Sequence, residues 1–199
     1  MTLSWQKFGV LAVAKERYCS AVMRVASIML GAALVLGSLP VRVQAAPAAA
    51  GVGGDRYAPA TARVVQSLVE FTRWPSASAS PRLCVVGNAL HDERFDGLRL
   101  TDGRAIQRRN VAASAAALAG CEVVYFGQIA PATTRQLVAA VRGKGVLTIA
   151  ENDPAGLSEA MFCLVFQSQA VSFKLNIDAI SRSGLRVDPR VLRMAQGTL

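Results

Sequence analysis

A single histidine, His91, serves a chain of 199 residues, only 18% of which are charged. One imidazole does not assemble the usual zinc site, and it leaves most hydrolytic acid–base pairs without a member. No serine stands in a Gly-x-Ser-x-Gly setting, and "RGKGV" at 142–146 lacks the length and the Ser or Thr of a phosphate-binding loop. There is no Cys-x-x-Cys pair, which ranks a thiol oxidoreductase last. His91, Asp92, Glu93 and Asp96 in "NALHDERFDG" form a small acidic cluster, but a solvated helix start accounts for it equally well. These absences predict no catalytic residues, no metal site and no cofactor.

Long apolar runs are also missing. The longest candidate, "ASIMLGAALVLGSL" at 26–39, has 14 residues, short of the roughly 20 that span a bilayer, so a retained anchor is the weaker reading. It follows Arg24 and "KERY" and precedes "VRVQAAPAAA", the three-part layout of a secretory signal peptide. The spacing predicts cleavage after Ala45, with Met23 as an alternative start. Cys19 precedes the apolar run, which disfavours a lipoprotein. Removing residues 1–45 lowers the net charge from +9 to +5, and "RR" at 108–109 is then the only adjacent basic pair. With no concentrated basic stripe, nucleic acid is not the expected partner.

What remains is 52% hydrophobic overall and has room for one globular core. Residues 46–56, "APAAAGVGGDR", read as a flexible linker, and 57–199 as a single compact domain. Apolar residues recur at helical spacing from Ala60 to Trp74 until Pro75 intervenes. The pattern then predicts a strand at 82–87, a helix or turn near 91–98, a strand at 104–110 and a helix at 112–119. A strand at 122–126, a helix at 131–142 and a strand at 145–149 complete the alternation. "MFCLVF" and "AVSFKLN" read as an antiparallel hairpin near the C-terminus. Two short helices follow, the first capped by Asn176 and stopped by Gly184, the second opened by Asp188 and Pro189. The predicted class is α/β, a mostly parallel sheet flanked by helices.

An exported chain would keep Cys84, Cys121 and Cys163 where disulfides persist. Cys84 lies in the first sheet strand and Cys121 opens "CEVVYFG", which a parallel sheet can place beside it. A bridge is the favoured reading, worth roughly 3–4 kcal/mol by loop closure; two buried thiols are the alternative. Cys163, inside an apolar strand, is expected to be a buried free thiol. Arg73 in "EFTRWP" and Arg186 in "SGLRVDP" end or follow helices beside apolar residues and, with Asp188, could line a site for an anionic ligand. The plainer reading is two surface arginines, with Arg73 answering Glu70 at helical spacing.

Taken together, "FTRWP", "RLCVVG", "GCEVVYFG", "MFCLVF" and "VSFKLNIDAISRSGLRVDPRVLRMA" resemble the YfiR family of exported bacterial proteins, from about Tyr57 to Ala195. The resemblance implies a periplasmic regulator that represses an inner-membrane GGDEF diguanylate cyclase through its periplasmic sensor region. It also implies an OmpA-like outer-membrane lipoprotein that sequesters the repressor, and hence an effect on biofilm formation. A compact α/β fold, a tendency to form a homodimer and a disulfide at Cys84 and Cys121 are further implications. The family's second disulfide would use the position matched by Cys163, but its partner position in the preceding loop has no cysteine here.

Overall fold

The structure, a computed structural model, describes residues 54–196 apart from 77, 78, 154 and 169. The leader expected over 1–45 lies outside the described residues, as does the linker except for its last three residues. No helix among the described residues is long and apolar enough to cross a membrane.

Helix α1 (Ala58–Glu70) begins with Pro59 in its first turn, where the missing N–H is no loss. Six parallel or antiparallel strands follow in one sheet: β2 (Arg82–Val86), β3 (Gln107–Val111), β4 (Val123–Phe126), β5 (Leu147–Ala150), β6 (Phe162–Phe166) and β7 (Val171–Leu175). Their order is β3-β2-β4-β5-β6-β7, parallel throughout except for the β6–β7 hairpin. Helix α2 (Pro131–Val141) joins β4 to β5, α3 (Ile177–Ser181) follows the hairpin, and α4 (Arg190–Gln196) ends the described chain. A separate two-stranded ribbon pairs β1 (Thr72–Arg73) with β8 (Arg186–Val187) antiparallel. The molecule is thus the expected α/β domain, with a mostly parallel sheet, flanking helices and an antiparallel hairpin.

The central strands are buried on both faces, as parallel strands covered by helices must be. Side chains alternate across the pleat, so Leu83 and Val85 enter one core while Cys84 and Val86 enter the other. Val64, Val65, Leu68 and Val69 of α1 close the first core together with Val191 of α4. Leu137, Val138 and Val141 of α2 close the second, with Leu118 and the two bridged cysteines.

Several boundaries differ from expectation for identifiable reasons. The first helix stops at Glu70 rather than Trp74, because the Thr72 hydroxyl donates to the Leu68 carbonyl and residues 72–73 pair with β8. The helix expected at 112–119 is a single 3-10 turn, Ala116–Leu118, whose only buried side chain is Leu118. Alanine favours helix intrinsically, but a short segment with almost no apolar face to bury gains little from forming one. The strand expected at 104–110 is Gln107–Val111, and of the two alternatives at 91–98 the structure shows turns.

Candidate functional site

Arg73 and Arg186 are 113 positions apart in sequence yet stand directly opposite each other in the β1–β8 ribbon. Both side chains are exposed, and among the described residues neither has a carboxylate partner. Glu70, the neighbour that helical spacing assigned to Arg73, instead accepts from the Thr101 N–H at 2.7 Å and from Gln66. Like charges opposite each other on a ribbon disfavour the pairing and favour an anion between or beside them.

Asp188 follows β8, and its own N–H donates to the Phe71 carbonyl, which ties the ribbon to the end of α1. Its carboxylate is engaged by Arg190, which donates through Nε at 3.1 Å, Nη2 at 2.8 Å and the backbone N–H at 2.8 Å. These bonds, helped by the Arg73 charge, hold the Asp188 carboxyl down to about 2. The Arg190 guanidinium lies over the Phe71 ring, 4.7 Å from its centroid. Asp188 therefore orders Arg190 rather than offering a free oxygen to a ligand. The ribbon brings three arginines together against one aspartate, and Arg73 also lines a cleft of about 340 Å³ with Thr72, Trp74 and Arg104, in which Glu70, Asp102 and Glu122 balance the arginines.

Open α/β sheets commonly bind ligands beyond the carboxyl ends of the strands, where the strand order reverses. Here that point lies between β2 and β4, and the protein fills it with its own loops. Asn88 and Gln128 form an antiparallel bridge across the gap, with the Gln128 N–H donating to the Asn88 carbonyl at 2.8 Å. The approach is so close that a Cβ on Gly127 would lie 2.5 Å from the Ala89 nitrogen. Glu151, just after β5, completes the plug: its buried carboxylate accepts from the N–H groups of Leu90 and His91 and from the Tyr125 hydroxyl at 3.0 Å. Burial, with the Glu151 charge beside it, raises the Tyr125 phenol far above its ordinary value, so it remains a donor.

The acidic cluster around His91 is likewise spent on structure. His91 hydrogen-bonds Asp55 at 2.7 Å and packs against Tyr57 and Phe166, while Asp92 pairs with Arg108. Among the described residues no three His, Cys, Asp or Glu side chains converge as a metal site would require.

Cys84 and Cys121 are bridged, with Cα atoms 5.9 Å apart. Over the bond lies Arg109 of the edge strand β3, whose Nε is 3.2 Å from Cys84 Sγ and whose Nη2 is 3.4 Å from Cys121 Sγ. Beside it Arg82 donates to Glu122 through Nε, Nη2 and its backbone N–H. Cys163 is free and buried; burial first, then the Asp153 charge, pushes its thiol up to about 11. Sequence reasoning singled out neither Glu151 nor Arg109. A carboxylate directly after the apolar run "VLTIA" was a visible signal for Glu151, whereas Arg109 stood out only as half of the basic pair at 108–109, with nothing to place it over the disulfide.

The sequence model of the YfiR/HmsC-like family matches residues 58–196, most of the chain and nearly all of the described domain. The chain belongs to the YfiR/HmsC-like family. Membership suggests a regulator in cyclic-di-GMP signalling and an interaction with a component of that system. The YfiR-like assignment and the disulfide both point to the periplasm, where a bridge of this kind persists.

Proposed function

We propose that this YfiR/HmsC-like chain is a periplasmic repressor that binds the periplasmic sensor region of an inner-membrane GGDEF diguanylate cyclase. Binding lowers cyclic-di-GMP synthesis and restrains biofilm formation, and an OmpA-like outer-membrane lipoprotein relieves the repression by sequestering the repressor. The observation that carries this reading is the family match over 58–196. The plugged crevice between β2 and β4 supports it, since the position where such sheets usually hold substrates is occupied by Asn88, Gln128 and Glu151. A repressor needs no catalytic group: it shifts the cyclase only by the difference between its affinities for the inactive and active states. The test is direct binding of the purified chain to the isolated periplasmic regions of the GGDEF cyclases of its own organism. Saturable binding to one of them is expected, and none to any would overturn the reading.

A second reading rests on the facing pair Arg73 and Arg186, which suits a small anionic ligand. It is compatible with the first if the ligand tunes the repressor. Thermal stabilisation by a panel of small carboxylates and phosphates, abolished in Arg186→Ala, is the expected outcome. Stabilisation that persists in that variant would place the ligand elsewhere.

A further inference from the structure

A cavity of about 610 Å³ lies at the opposite end of the sheet from the plugged crevice. It borders the ribbon through Trp74 and Gly184, but neither Arg73 nor Arg186 lines it. Its walls are mixed: Trp74 after β1, Leu118 of the 3-10 turn, Val141 at the end of α2 and Val146 before β5 supply apolar surface, and Ser76, Glu122 and Lys144 supply polar groups. Binding sites for small molecules typically have this size, with apolar walls and a few polar groups that set orientation.

Two polar groups here lack partners. Trp74 Nε1 is buried without an acceptor, a state that costs free energy and is rare in folded proteins. Lys144, exposed on the turn after α2, has no carboxylate partner among the described residues. The acid that lines the cavity, Glu122, is already matched by Arg82, so it does not repel an incoming anion. The unmatched charge at the cavity is therefore the Lys144 cation, beside the apolar side chains of Trp74, Leu118 and Val146.

We propose that this cavity binds a small organic carboxylate with an apolar body, the hydrocarbon seated against Trp74, Leu118 and Val146 and the carboxylate paired with Lys144. Ala140, half-buried on α2 at the cavity wall, sets the space available.

The probe is 4-phenylbutyrate, compared with its uncharged amide by isothermal titration on the whole chain. The carboxylate is expected to bind saturably, one per chain, about fivefold more tightly than the amide, the range of a partly exposed ion pair. Lys144→Gln should remove that difference while leaving amide binding unchanged. Ala140→Phe should abolish binding of both compounds with the cooperative melting transition retained, and Arg186→Ala should leave both affinities as they are. No saturable heat at millimolar probe, a preference for the amide, or loss of binding in Arg186→Ala would overturn the proposal. The last result would assign the carboxylate to the ribbon arginines instead.

Discussion

At the scale of single residues, buried polar groups carry more of the organisation than composition suggests. Glu151 accepts from Leu90, His91 and Tyr125, so Glu151→Ala leaves three donors unsatisfied at once. The expected cost is about 3 kcal/mol, read as a fall in the urea midpoint with an unchanged slope. A loss below about 0.5 kcal/mol would mean that water replaces the carboxylate. Cys163 makes a second case. Its folded thiol is raised to about 11, so its stabilising contribution is whole below the unfolded value near 8.5 and is lost as pH rises through about 11. Wild type should lose stability between about pH 9 and pH 11 relative to Cys163→Ala, whereas the two should change in parallel from pH 6 to pH 8. In a Cys19→Ser background, Ellman's reagent should find no reactive thiol in the native protein and one after denaturation. Cys163 was readable as a buried thiol because apolar residues surround it in sequence. Glu151 was marked by its place after an apolar run, but its bonding was not readable, because its donors lie 26 to 61 positions away.

Among the elements, those that bury a periodic apolar face were legible and those held by distant partners were not. Helix α2 was marked at both ends, by Pro131 and by Gly143, which takes a φ of +73° just beyond it. The hairpin showed its alternation in Val171 and Phe173, both buried, against the exposed Lys174. By contrast, β1 and β8 have two residues each, too few for any periodicity, and each exists only through the other. That is why Arg73 was read as the end of a helix. The edge strand β3, "QRRNV", is mostly exposed and gives no hydrophobic signal. The ribbon yields its own prediction: Arg186→Glu should convert a repelling cross-strand pair into an attractive one. A stabilisation of about 0.5 kcal/mol is expected, together with loss of any anion binding at the ribbon. Destabilisation by a similar amount would show that the arginines already share a bound counter-ion.

The whole molecule combines a sheet whose central strands are covered on both faces with a crevice filled from within, and both suit a protein that acts by being bound. Its fold class was legible because alternating apolar runs and punctuated helices leave few other arrangements. The disulfide was legible because a parallel sheet brings β2 and the start of β4 together. It closes a loop of 37 positions and contributes about 4 kcal/mol on the chain-entropy model, enough to decide whether a marginally stable domain stays folded. The plug was not legible, since it depends on loops meeting across the sheet end. The central claim is repression of a cyclase from the periplasmic side, and the most direct measurement is intracellular cyclic-di-GMP in a strain lacking this chain. The same strain would carry either exported wild type or Cys84→Ser for comparison. The account predicts a rise on deletion that wild type reverses and Cys84→Ser reverses poorly. An unchanged level across several growth conditions, with wild type and variant indistinguishable, would contradict it.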